Sequence, residues 1–413
     1  MQTQTEINKI IFNPKDIADA CAYIEEMWGV LKKSNREDNG TLIGLPFDYI
    51  LPSAESSENF VFEEMYYWDS YFIAKGLLAT GHDELAEGML ENLLYLYKRF
   101  HIIPNGSRFY MTGRSQPPIL TSFIFDIYEK MDKSEDWLKK RMHITEQEYE
   151  NVWTASSHPN IRNVYRGLSR YYDINYLHDL SEAESGWDMT TRFNGKCLDY
   201  IPIDLNCLLY KYESDFARAY AIFGDSERSE IWRQRASIRA TTVTLELWNS
   251  QKGFFFDLNY QTGEQSEVWS LATFYSLWSG LASKIQAEKI VDNLNVLLAA
   301  GGLCATDKTN DPREFSKQWA HPNGWAPLQY FAIKGLENYG YHNEASSISR
   351  LWLKTNLDYY KIFGVFREAY NVVEPLEPPV EGVYPSQIGF GWTNGVFVNF
   401  CQNYLNPEEK SLI

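Results

Sequence analysis

The chain has 413 residues, 44% of them hydrophobic and 23% charged, the balance of a globular protein with a large core. A formal net charge of −17, with Asp and Glu spread along the whole length, makes nucleic acid and anionic membranes poor partners. The scattered Cys21, Cys197, Cys207, Cys304 and Cys401 form no C-x-x-C pair, so free buried thiols are expected, with no disulfide framework or zinc site. With no P-loop, Rossmann fingerprint or histidines at ligand spacing, neither a metal nor another cofactor is expected. Met1-Gln-Thr-Gln-Thr-Glu has neither a basic region nor an apolar run, and no stretch is long enough to span a bilayer. The expectation is a cytoplasmic chain without a signal peptide.

Helical patterning begins at Asn13-Pro14, a cap followed by proline, with Ile17, Cys21, Ile24 and Trp28 on one face. A helix is predicted from Trp68 to Thr80, and Gly81-His82 turns it into a second one over Asp83–Phe100. Leu85, Met89, Leu93 and Leu96 form the apolar stripe of that second helix. Further helices are predicted over Ile119–Met131, Glu146–Trp153, Asp204–Phe223, Glu227–Trp248, Glu267–Leu281, Ala287–Ala299, Pro322–Tyr339, His342–Leu357 and Gly391–Tyr404. Only Phe254–Asp257 and Arg108–Met111 alternate with the period of a strand.

About a dozen helices in successive hairpins, with no repeat at a fixed period, argue against a solenoid. They predict an all-α, (α/α)6 barrel or toroid, one closed domain over residues 1–413. The long segments Ser34–Glu64, His101–Pro118, Leu180–Ile203, Gly301–Asn323 and Gly364–Gly391 are rich in Gly, Pro, Asn and aromatics. Loops of that length are usually functional, and these five are expected to meet at one rim.

The most telling stretch is Glu184-Ser185-Gly186-Trp187-Asp188-Met189-Thr190-Thr191-Arg192. An apolar ring and a nearby cation beside a carboxylate are a means of tuning its pKa. The plainer reading is that Asp188 caps a helix running into Met189-Thr190-Thr191. Tyr66-Tyr67-Trp68-Asp69 offers a stacking face and a hydroxyl acceptor, and the Pro- and Gly-fixed loop after His101 carries Asn105, Arg114 and Gln116. Pro202-Ile203-Asp204-Leu205-Asn206 reads as a helix start. Trp319 and Trp325 flank Pro322-Asn323-Gly324, and Glu368 lies among aromatics ahead of a Pro-rich run. Two carboxylates in separate aromatic loops around a ring-shaped cavity suit the hydrolysis of a small saccharide, one as acid and one as base.

In order along the chain these motifs resemble the trehalase family of inverting glycoside hydrolases, which share an (α/α)6 barrel. The likeness rests on Tyr67-Trp68-Asp69-Ser70-Tyr71, Ile103-Pro104-Asn105-Gly106 with Arg114-Ser115-Gln116-Pro117-Pro118, Glu184–Asp188, Asp204-Leu205-Asn206, Gln318-Trp319 with Pro322–Gln329, and Gly389–Val396. It implies that Asp188 is the general acid and Glu368 the general base. It also implies that Phe62, Trp68, Asp69, Asn105, Arg114, Gln116, Gly186, Trp319 and Trp325 line the sugar sites.

The departures cluster on the leaving-group side. Asn59-Phe60-Val61-Phe62 stands where the family has Gly-Gly-Arg-Phe, Ala320 follows Gln318-Trp319 where it has Asp, and Val383 precedes Tyr384 where it has Glu. No Pro-Arg-x-Glu-Ser segment is recognisable between Arg170 and Glu184. Three readings follow: a trehalase; a hydrolase of another α-glycoside, such as a glucosyl- or mannosylglycerate, with a basic residue like Arg166 or Arg170 at the leaving group; or an inactive sugar-binding protein.

Overall fold

A computed structural model describes residues 10–53, 56–57, 60–155, 158, 161–309, 317–382 and 385–413. Asn59 and Val383, two of the positions that depart from the family pattern, lie outside them.

Helix α1, Pro14–Leu31, starts where its sequence says it should, because the Asn13 side chain accepts from the Lys15 amide. Hairpins follow: α2, Tyr67–Ala79, with α3, Asp83–Phe100; α4, Leu120–Lys130, with α5, Glu135–Glu148; and, after the short α6, His178–Glu184, α7, Ile203–Ile222, with α8, Ser226–Leu247. The order closes with α9, Tyr275–Trp278, and α10, Lys284–Asp292; then α11, Ala326–Asn338, with α12, His342–Phe363; and α13, Gly391–Tyr404. Helices α2, α4, α7, α9, α11 and α13 touch in that sequence, and α13 packs back on α2, so the inner ring is closed. The second helix packs on the first in the pairs begun by α2, α4, α7 and α11, and α1 serves α13, while α10 packs on Phe254–Phe255. This is an (α/α)6 barrel, and the strands among the described residues form only two- and three-stranded ribbons.

Burial follows the two layers. In α2 nearly every residue is buried, as expected of a helix surrounded by protein, whereas in α3 the interior residues Met89, Leu90, Leu93 and Leu96 make one stripe. The ring closes on glycines: a methyl on Gly395 would sit 2.2 Å from the Phe72 carbonyl oxygen, and one on Gly76 would sit 2.5 Å from the Gly395 Cα. Only the absence of a side chain lets α13 approach α2 so closely.

Several predicted elements are corrected. The helix expected at Glu146–Trp153 is the tail of α5, which begins eleven residues earlier because Ser134 caps it by accepting from the Trp137 amide; Tyr149–Trp153 is a π-turn. The helix expected over Glu267–Leu281 shrinks to a 3-10 turn, Leu271–Phe274, and the single turn of α9. Its first residues are drawn off to a neighbouring segment, since the Trp269 amide donates to Asp307 and the Leu271 amide to the Ala305 carbonyl. Helix α10 starts at Lys284 rather than Ala287 because Ser283 and Gln286 form a capping box. It ends at Asp292, and Leu298–Ala299 pairs instead with Gly302–Leu303.

Helix α11 starts only after Asn323–Trp325 has paired with Ala369–Asn371. Helix α12 continues to Phe363, where Gly364 ends it at φ +73°. Arg108–Met111 is not a strand, since Phe109–Met111 makes a 3-10 turn.

Candidate active site

The five long segments do meet. Pro52 and Phe62 from the first, Asn105 and Gln116 from the second, Gly186 and Asp188 from the third, Trp319 from the fourth, and Glu368 and Phe390 from the fifth line one pocket. Tyr66, Trp68, Asp69 and Trp392, at the starts of α2 and α13, complete it. The cavity these residues enclose is narrow, about 80 Å³, and leaves no room for a polymer.

Its floor is tryptophan. Trp319 stacks on Trp325 with centroids 3.8 Å apart and planes 5° from parallel, while Trp392 stands edge-on to both at 5.9 Å. Trp68 lies 5.9 Å from Trp319. Gly186 is required here: its φ is +72°, and a methyl on it would meet the Trp68 ring at 2.7 Å. Trp325 is thus a support beneath Trp319 and does not itself line the pocket.

Asp188 does not cap a helix. It follows α6 in irregular backbone, and Met189 beside it has a φ of +67°. Side-chain charge holds this loop in place. Arg192 is buried and donates to both Asp204 and Asp257, with the four contacts between 2.9 and 3.0 Å. Asp204, at the expected helix start of α7, therefore serves the acid loop from behind. Glu184 is buried under Arg162 and also accepts from the Ser115 and Tyr172 amides, both at 2.7 Å. These ties fix the Glu184–Arg192 stretch against the Asn105–Gln116 loop.

The surface that Asp188 retains faces the pocket, and desolvation there raises its pKa to about 7. Arg114 opposes the rise and Glu182 adds to it. Arg114 stands outside the pocket lining, 3.4 Å from Asp173, and acts on Asp188 through its charge. Asp69 is buried in the first turn of α2, and desolvation together with the charges of Glu368 and Asp188 pushes its pKa well up. That mutual influence places three carboxyl groups in one enclosed space.

Glu368 is held differently. Its carboxylate accepts from the Gln387 amide at 3.1 Å, its own amide donates to the Gln387 carbonyl at 2.9 Å, and its carbonyl accepts from the Trp392 indole at 3.0 Å. Gln116 accepts from the Trp68 amide at 3.0 Å and hydrogen-bonds Asp69. Asn105 spends its amide hydrogens on the Ser115 and Ala183 carbonyls, so only its oxygen remains to meet a ligand.

Tyr66, Phe390 and Trp392 belong to the sequence motifs but join the site only in the fold, and Pro52 carries no motif of its own. Arg166 and Arg170 are not at the pocket. Arg166 pairs with Glu246 at 2.7 Å, and Arg170 is spent on the Ile161 and Leu198 carbonyls and the Tyr176 and Tyr260 hydroxyls.

Fold and pocket together define an (α/α)6-barrel protein with an acidic, tryptophan-floored cavity. The sequence profile of the trehalase family matches residues 2–179 and 175–405, and the chain belongs to that family. Cytosolic neutral trehalase of Saccharomyces cerevisiae is 33% identical over 451 residues, covering 90% of this chain and 58% of that protein; the chain is thus a little over half its length. The structure of neutral trehalase from the same yeast superposes with a TM-score of 0.77 at 30% identity, over 89% of this chain and 75% of that one. A mannosylglycerate hydrolase from Thermus thermophilus shares the fold, with a TM-score of 0.68 at 16% identity over 92% and 99% of the two chains.

Proposed function

We propose that the protein is an inverting α-glycoside hydrolase that splits trehalose into two glucose molecules, with the barrel as a single catalytic domain. Asp188 is the general acid and Glu368 the general base. The observation that carries the reading is the meeting of these two carboxyl groups, from distant segments, above a tryptophan floor. Membership of the trehalase family supports trehalose as the substrate.

A general acid has to hold its proton near neutrality, and desolvation lets Asp188 do so. Asp188 passes that proton to the glycosidic oxygen as the bond to the anomeric carbon breaks. Glu368 takes a proton from a water that attacks the same carbon from the opposite face, so the configuration inverts. Trp68, Trp319 and Phe62 offer apolar faces to the ring, and Asp69, Gln116 and the Asn105 oxygen meet its hydroxyls.

The glycosylglycerate alternative asks for a cation at the leaving group, and neither Arg166 nor Arg170 supplies it. The test is proton NMR of sugar released from trehalose. Equal initial amounts of α- and β-glucose are expected, with release lost in both Asp188→Asn and Glu368→Gln. Absence of turnover would overturn the substrate, and formation of α-glucose alone would overturn inversion.

A further inference from the structure

The carboxylate nearest in sequence to the acid loop without a full set of partners is Glu182. It sits in α6 and is 2% exposed. One oxygen accepts from the Thr190 amide at 2.6 Å. Its other oxygen is buried with no hydrogen-bond partner among the described residues. Lys317, on a loop far away in the chain, stands 3.9 Å from the first oxygen, beyond hydrogen-bond reach, and is 3.7 Å from the Met189 sulfur. By contrast Glu184, two residues on, is bonded through both oxygens.

Such an arrangement is costly, since a buried carboxylate with an idle oxygen loses solvation that nothing replaces. It is kept two residues from the acid: Thr190, which it anchors, lies just past Asp188, and the Met189 carbonyl between them accepts from the Trp319 amide at 3.1 Å. The groups that face Glu182 are Asp179 on its own helix, Arg192 and Cys197 beyond the acid loop, and Lys317 across it. Those bearing on Asp188 are Arg114 and Glu182, and Asp69 feels Asp188 from the far side.

We propose that Glu182 is a positioning residue for Asp188, holding the acid loop by the Thr190 amide and keeping a negative charge behind Asp188 so that the acid retains its proton. The inference rests on reading Asp188 as the acid. Burial raises the pKa of Glu182 itself to about 7, and the charge of Glu182 in turn adds to the rise of Asp188. Lys317 counters the rise of Glu182.

The test separates charge from anchorage. Glu182→Gln keeps a carbonyl for Thr190 and removes the charge, whereas Glu182→Ala removes both. Two readouts are taken on the full chain: the carbon-13 titration of Asp188, assigned through Asp188→Asn, and the alkaline limb of the kcat profile on trehalose. Loss of the negative charge favours the ionised form of Asp188, so in Glu182→Gln its pKa should drop by about one unit. The alkaline limb should move to lower pH by the same amount, and Glu182→Ala should also lower kcat at the optimum.

A carbon-13 titration of Asp188 unchanged in Glu182→Gln overturns the proposal, whether or not trehalose is turned over. A shifted titration with an unmoved alkaline limb upholds the coupling and overturns Asp188 as the acid. Should Glu182→Ala fail to fold, Glu182→Gln alone decides the matter.

Discussion

The two candidate catalytic carboxylates are held by opposite means. Glu368 is set by backbone: it lies beside the strand Ala369–Asn371 and the Arg367–Ile388 bridge, its amide and carboxylate both fall on Gln387, and its carbonyl is capped by Trp392. Asp188 has no regular structure around it and is set by buried charge, through Arg192 with Asp204 and Asp257, Arg162 with Glu184, and Glu182 with the Thr190 amide. Backbone ties do not titrate, so the base keeps its position across a wide pH range. A loop held by ionised groups is also a loop whose electrostatics can be tuned, which is what an acid working near neutrality requires.

The sharpest break in this comparison is the loss of either carboxyl group. Asp188→Asn and Glu368→Gln should each lower kcat on trehalose by about 10²- to 10⁴-fold with the fold intact, measured by glucose release beside circular dichroism. If only one matters, the pair is not the catalytic pair. Next comes the buried charge under the acid loop. Arg192→Met strands two buried carboxylates and should cost about 3–5 kcal/mol in urea denaturation, whereas an equally conservative change at Gln387 should cost far less.

Gly186→Ala forces a side chain into left-handed backbone and into the Trp68 ring. A stability loss of about 1–3 kcal/mol is expected, with a fall in kcat/KM that persists well below Tm, where the variant is fully folded.

One expected effect is a gain. Because the folded-state pKa of Asp188 is raised to about 7 from an ordinary 3.8, the native chain holds this proton more tightly than the unfolded chain. Its contribution is fully present below pH 3.8 and is lost as pH rises to 7. Asp188→Asn, which cannot ionise, should therefore raise Tm at pH 8 and leave it nearly unchanged at pH 3, by differential scanning calorimetry.

The barrel is largely legible in the sequence because its hairpins turn on Gly81-His82, Gly224-Asp225 and Gly340-Tyr341, and because α3, α8 and α12 keep a helical period long enough to see. The failures share a cause. Where Trp269 and Leu271 are tied to residues 305–307, or Asn323–Trp325 to Ala369–Asn371, long-range bonds override a locally plausible helix, and no local pattern records them.

The pocket residues were visible as polar and aromatic groups in Gly- and Pro-rich loops. Arg114 and Trp325 carry the same local signature yet sit one layer back, since spacing does not distinguish a lining residue from its support. Glu182 and Lys317 were invisible for another reason. Each is an ordinary charge in its own segment, and only the fold brings the two within 3.9 Å.

The glycine seam between α2 and α13 bears on how the protein is made. Trp392 and Phe390, two walls of the pocket, arrive with α13, and the ring has a gap until that helix slots against Gly76 and Phe72. During synthesis the earlier hairpins emerge as an open stack, with the buried faces of α2 and α11 uncovered on either side of the missing helix. A chain stopped before residue 391 would lack Trp392 from the pocket wall and would leave the inner ring open at the seam.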